Sequence, residues 1–472
     1  MPATYEEAKA LHEAGRLEEA AAAYAAVPDD SPDAARALNN LGTLHEADGR
    51  FEDAIAVYRR AVTLKPDAAI LWYNLGHALQ RLERLPEAIL AYAQSLEFDP
   101  SDGPTHYNLG NALADQARHE SAIGCYRRAL ECGLDDPRVQ SRLGTSLLDL
   151  GHAGEALAAY RHAIEADPTV AEEWFHVGLA LETLRRHDEA AESYRRSVEL
   201  HPDSTAAREG LARALYSAGR EEAALMVYRD WLEHDPGNPI AQHMAAALSG
   251  EATPDRADDD YVRTLFDGFA ANFDRTLARL DYRAPQLLSD LLKERLGAAA
   301  GPFDVLDAGC GTGLCGPLLK PHARRLVGVD LSPEMLRQAE RRAVYDELHA
   351  AELTAFLSEQ AGRFDAIVAA DTLIYFGDLK PVLAVAASAL RPGGRFLFTL
   401  ERLDESDGET RLNSHGRYAH SEAYLCERLA HAGFSVESIA AETLRREGGT
   451  PVTGFVVCAG RTPGAISLLE ST

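Results

Sequence analysis

A fixed period of 34 residues runs through the first half of the chain and limits its fold more than any other feature. Leu41-Gly42, Leu75-Gly76, Leu109-Gly110, Leu143-Gly144 and Val177-Gly178 recur at that spacing, and Leu211-Ala212 continues the series. A second comb sets Ala four residues before Tyr: Ala20/Tyr24, Ala54/Tyr58, Ala88/Tyr92, Ala122/Tyr126, Ala156/Tyr160, Ala190/Tyr194 and Ala224/Tyr228. A third is proline at 66, 100, 168, 202 and 236, interrupted by Leu134. Three combs in one register describe a stack of equal units, none able to bury its apolar face alone.

Over residues 1–238 the pattern resembles seven tetratricopeptide repeats (TPR). The residue types suit that fold physically. Small side chains at the Gly and Ala positions let two antiparallel helices approach closely, and Leu and Tyr fill the seam between them. Proline stops the second helix, because it lacks an amide and clashes one turn back. The expectation is an all-α solenoid whose curved surface is lined by the first helix of each unit. Asn40, Asn74 and Asn108 share one position on that helix, with Tyr73, Tyr107 and Phe175 one residue earlier in their units. Amides and aromatics so placed suit an extended protein or peptide ligand in the groove.

Charge bears on partners. The chain carries 47 Lys+Arg against 74 Asp+Glu, a formal −27. Residues 1–254 hold 23 basic and 42 acidic side chains, a net −19. No basic surface for nucleic acid is expected. Neither a bilayer-spanning apolar run nor a signal-peptide pattern is seen, so the expected setting is cytoplasmic. The six cysteines form no C-x-x-C pair, and neither disulfides nor a metal site are expected. Residues 239–260, with Gly250 to Pro254 and Asp258-Asp259-Asp260, read as an acidic linker.

Beyond residue 303, short β-branched runs alternate with Ala/Leu-rich helical stretches. Candidate strands are 304–307, 326–330, 348–352, 364–369 and 395–400, followed by a hairpin at 435–445 and 452–459. Such alternation builds a parallel sheet that binds ligands at the carboxyl ends of its strands. The first strand enters Asp307-Ala-Gly309-Cys310-Gly311-Thr-Gly313-Leu-Cys-Gly316. A glycine turn between strand and helix offers bare backbone to a ligand. Gly311, Gly313 and Gly316 also fit a dinucleotide fingerprint, so NAD(P) is a competitor. Asp307 weighs against it: a carboxylate there repels a pyrophosphate and suits an ammonium and a sulfonium. Asp330, ending the second strand, can take both ribose hydroxyls.

At these residues, over about 261–461, the chain resembles class I S-adenosylmethionine-dependent methyltransferases of a predicted bacterial type with appended repeats. The resemblance implies a Rossmann-like α/β domain over 261–472, with a mostly parallel seven-stranded sheet. It also implies a cofactor site. Gly309, Cys310, Gly311 and Gly313 lie under the cofactor, Asp307 at its methionine end, Asp330 and Leu331 at the ribose, and Glu352 near the adenine. Asp371 falls on the reactive side, and Phe273, with Phe269, in a covering helix.

Methyl transfer needs alignment and exclusion of water more than a fixed catalytic residue. Downstream of the fifth strand, His415, Arg417, Tyr418 and His420 fall in one short loop. Arg417 and Tyr418 are expected to hold an acceptor, with His420 or His415 as base. The sequence therefore predicts a methyltransferase whose repeats recruit a protein or carrier-bound acceptor. An adaptor with a non-catalytic cofactor-binding domain, or an NAD(P) oxidoreductase, are the alternatives.

Overall fold

The computed structural model describes residues 4–251, 253–296, 303–447 and 449–462. Two compact units divide at Arg220/Glu221.

The first unit is a run of antiparallel helix pairs, from Tyr5–Glu13 with Leu17–Ala25 to Ala171–Thr183 with His187–Leu200, followed by Thr205–Ser217. Tyr24, Tyr58, Tyr92, Tyr126, Tyr160 and Tyr194, the aromatic comb, are all buried. All but Tyr24 fill the space that a glycine leaves open. A Cβ built on Gly178 would lie 2.6 Å from the Tyr194 ring. The prolines end the second helices as the pattern requires, and their carbonyls are then captured six residues on. Trp72 Nε1 donates to the Pro66 carbonyl (2.7 Å) and Trp174 Nε1 to that of Pro168 (2.9 Å). The inner-face asparagines are engaged within the array: Asn40 donates to the Tyr24 hydroxyl (3.1 Å), Asn74 to the Asn39 side chain (2.7 Å) and Asn108 to the Tyr73 hydroxyl (3.1 Å).

The second unit begins with helices Glu221–His234 and Pro239–Ser249, so much of the segment read as linker is helical. After helices Asp259–Phe269, Phe273–Arg279 and Ala284–Leu296 come nine strands: β1 (Phe303–Ala308), β2 (Ala323–Asp330), β3 (Glu347–Ala350), β4 (Phe364–Ala369), β5 (Leu390–Arg402), β6 (Thr410–Leu412), β7 (Tyr418–His420), β8 (Phe434–Glu447) and β9 (Thr450–Arg461). Strands β3-β2-β1-β4-β5 run parallel, and β9 then β8 complete the far side antiparallel. That is the expected seven-stranded sheet. The β6–β7 hairpin is an addition, pairing Ala419 and His420 with the end of β5. Alternation divides the core. Leu306, Val327, Ile367 and Phe396 pack on one face, while Val305, Leu326, Val368 and Leu397 pack on the other with Leu288 and Leu292. The order reverses between β1 and β4, and there the carboxyl ends open a crevice.

Candidate active site

The crevice is walled by the turn after β1 and the turn after β4. Gly309 (φ +72°) lies so close to Thr372 that any Cβ would collide with it, and Thr372 Oγ1 donates to the Ala308 carbonyl (2.8 Å). The turn is tied to β2 through the amides of Gly309 and Cys310, which both donate to the Val329 carbonyl (2.8 and 3.0 Å). Cys310 is buried, with its sulfur packed under Gly328. Gly313 makes room for Tyr345 and Arg342. Above Gly311 there is space: an added Cβ would meet nothing nearer than the Phe273 ring, at 3.8 Å.

Two carboxyls face this turn. Asp307 is 1% exposed and accepts a 2.6 Å bond from the Tyr345 hydroxyl. Burial pushes it up to about 7, the hydrogen bond opposing. Asp330 accepts from the Gly311 amide (2.8 Å) and the Ser332 amide (2.9 Å), and the Leu331 amide also favours its charged form. Burial nevertheless raises it. Among the described residues no cationic side chain pairs with either carboxyl. The site thus has bare backbone, one buried and one part-buried acid without a counter-charge among the described residues, and space beneath an aromatic ring. These features fit a ligand that brings positive charge and hydroxyls, and so fit the cofactor that the glycine turn implies.

Phe269 and Phe273, expected on one covering helix, fall on two, Asp259–Phe269 and Phe273–Arg279. Phe273 packs edge-on against Phe266 and Phe269, and Phe266 against Tyr375. An acid on each helix fastens it. Ser332 Oγ donates to Asp267 (2.5 Å), while Thr312 and Arg342 both bond Asp274. Asp267 and Asp274 follow Phe266 and Phe273 at a seven-residue spacing, a signal that the sequence did contain. Glu352 caps helix Leu353–Ser358 through the amides of Thr354 (2.9 Å) and Ala355 (2.7 Å), and pairs with Arg256 (2.8 Å).

The acceptor-side residues sit differently from the sequence expectation. Tyr418 and His420 share one face of β7, and both are buried. The Tyr418 hydroxyl donates to the Pro254 carbonyl (2.7 Å), and its ring fills the space beside Gly377. His420 Nε2 donates to the Gly377 carbonyl (3.1 Å), its ring stacks on Tyr424, and burial pushes it down to about 4. The unforeseen β6–β7 hairpin turns both into the fold rather than leaving them on an open loop. Arg417 is spent on Glu401 (2.8 Å) and Glu447 (2.6 Å), and His415 lies 3.4 Å from Glu401. Desolvation holds His415 below its ordinary range.

Asp371, expected on the reactive side, lies in the turn after β4 in a left-handed conformation (φ +50°) rare for a non-glycine. Its carboxylate accepts from Thr399 Oγ1 (2.7 Å) and Arg445 Nη1 (2.7 Å). Arg445 is 4% exposed and also bonds Glu401 and Glu447. An arginine in a β-branched hairpin strand gave no sequence sign of this role.

Comparison with known proteins agrees with the geometry. The methyltransferase-domain family matches residues 305–394, the tetratricopeptide repeat family residues 183–248, and the C-terminal domain of cilia and flagella-associated protein 70 residues 2–209. Methyltransferase-like protein 27 of Homo sapiens is 30% identical over 200 residues, which are 42% of this chain and 76% of that protein. A ubiquinone biosynthesis O-methyltransferase of Xanthomonas axonopodis pv. citri (strain 306) is 33% identical over 103 residues, 21% of this chain and 43% of that enzyme, so the chain spans less than half of it. The solved structure of YrrB, a TPR protein with an unusual peptide-binding site, is 24% identical with a TM-score of 0.38, covering 40% of this chain and 97% of its own. No helix among the described residues is long and apolar enough to cross a membrane. The chain belongs to the methyltransferase family, its methyltransferase domain preceded by tetratricopeptide repeats.

Proposed function

We propose that this chain transfers a methyl group from S-adenosylmethionine to a protein or carrier-bound acceptor recruited by its repeats. The carrying observation is the pair Asp307 and Asp330: one buried and one part-buried carboxyl on a glycine turn, neither paired with a cationic side chain among the described residues. Asp307 would hold the ammonium end of the methionine moiety, Asp330 the ribose hydroxyls, and Gly311 with Phe273 the walls between. When bound, the cofactor supplies an electrophilic methyl carbon already activated by a sulfonium. The protein's part is then to orient and to exclude water. The pinned aromatic helix does the second, and Asp371, held by Thr399 and Arg445, offers a fixed polar wall for the first. A pyrophosphate would face Asp307 at close range, which disfavours a nicotinamide cofactor. The groove of the array and its net negative charge support a neutral or basic polypeptide as partner.

Tritiated-methyl transfer into fractionated lysate tests this reading, comparing the full chain with residues 221–472, the second compact unit. Labelling of one macromolecular species by the full chain, and weaker labelling by the shorter one, is the expected result. Equal labelling by both would remove recruitment by the repeats, and no labelling by either would remove the enzyme.

A further inference from the structure

Residues 253–258, within the segment read as an acidic linker, are bonded along most of their length. The Pro254 carbonyl accepts from Tyr418 (2.7 Å). The Asp255 carbonyl accepts from the amides of Gly377 (2.8 Å) and Asp378 (2.7 Å), and the Ala257 amide donates to the Tyr375 carbonyl (2.8 Å). Arg256 pairs with Phe376 as an isolated antiparallel bridge. Its guanidinium donates to Glu352 (2.8 Å), after β3, and to Asp259 (2.8 Å), at the start of the covering helix. The strap thus joins the turn after β3 to the turn after β4. In the sheet order those two strands flank β2 and β1, which carry Asp330 and Asp307. The preceding helix is also part of this unit: His243 stacks on Tyr261 at 3.9 Å and donates to the Gly416 carbonyl (2.9 Å).

We infer that this strap is a wall of the cofactor site, with Arg256 a positioning residue that acts through Glu352. The inference rests on the cofactor reading above. Glu352 already spends its oxygens on the Thr354 and Ala355 amides. Among the described residues Arg256 is the side-chain cation paired with that carboxylate, and it joins Glu352 to Asp259 at the start of helix Asp259–Phe269.

The test is calorimetric titration of S-adenosylhomocysteine into the full-length chain and its R256A, R256K, E352Q and R256A/E352Q variants, with Tm recorded for each. R256A should bind about three- to tenfold more weakly, as for a partly exposed charge pair, with Tm nearly unchanged. R256K should recover part of the loss, and the double variant should bind no more weakly than E352Q. Wild-type affinity in R256A, or losses that simply multiply in the double variant, would overturn the role of Arg256 while leaving the cofactor reading intact. A folded wild-type chain that binds no S-adenosylhomocysteine would overturn both.

Discussion

Asp307, in its proposed place at the cationic end of the cofactor, should make affinity depend on pH in one direction. Burial raises its carboxyl from 3.8 to about 7, so in the free protein it is largely protonated at pH 6. A ligand ammonium beside it stabilises only the carboxylate, and binding below pH 7 must expel that proton. Affinity should therefore rise with pH up to the free-protein value and level off above it. With a midpoint near 7, the gain between pH 5.5 and 7.5 is about 25-fold, about 1.9 kcal/mol. Calorimetry in two buffers of different ionisation enthalpy counts the proton directly, and about 0.8 should be released per ligand at pH 6.5. D307N should bind weakly and without this slope. Removing the Tyr345 hydroxyl in Y345F takes away the bond that lowers the Asp307 value, so the midpoint should move upward. A wild-type affinity that is flat from pH 5.5 to 7.5, or a slope that survives in D307N, would refute the assignment of Asp307 to the cationic end of the ligand.

Three further outcomes follow from packing and buried charge. G178A drives a methyl into the Tyr194 ring and should cost the repeats about 1–3 kcal/mol, read as a lowered Tm, with S-adenosylmethionine binding unchanged. R445M strands Asp371, while Glu401 keeps only Arg417 as its guanidinium partner, and should cost about 3–5 kcal/mol in urea unfolding of the second unit. His420 is held down to about 4 from 6.5, so its contribution is whole above pH 6.5 and is lost as pH falls toward 4; that acid loss, about 3 kcal/mol, should vanish from the stability profile of H420F, whose methyl-transfer pH profile should not move.

The combs were legible because each one records a packing constraint that repeats. Gly42, Gly76 and Gly178 are glycines because Tyr58, Tyr92 and Tyr194 occupy the place of a side chain. The glycine turn was legible for a related reason: Gly309 has no room for a Cβ, and Asp307 and Asp330 are acids with no cationic partner among the described residues. The loop from His415 to His420 misled because its polar composition suggested exposure. A three-residue strand sufficed to reverse that, burying Tyr418 and His420 beside Gly377. Arg445 and Arg256 were illegible, since their importance lies in partners 44 to 96 residues away, which no local pattern encodes. The bonds of residues 253–258 were illegible likewise: a stretch rich in Pro and Asp is held by backbone carbonyls and amides that composition does not report.

The account stands on the two carboxyls of the glycine turn. Titrating S-adenosylmethionine into the full chain and into D330A by calorimetry tests it most directly. One site per wild-type chain is predicted, with binding lost in D330A and the thermal transition of the repeats unchanged. A folded wild-type chain that takes up no S-adenosylmethionine, or a D330A chain that binds it as tightly, would contradict the account.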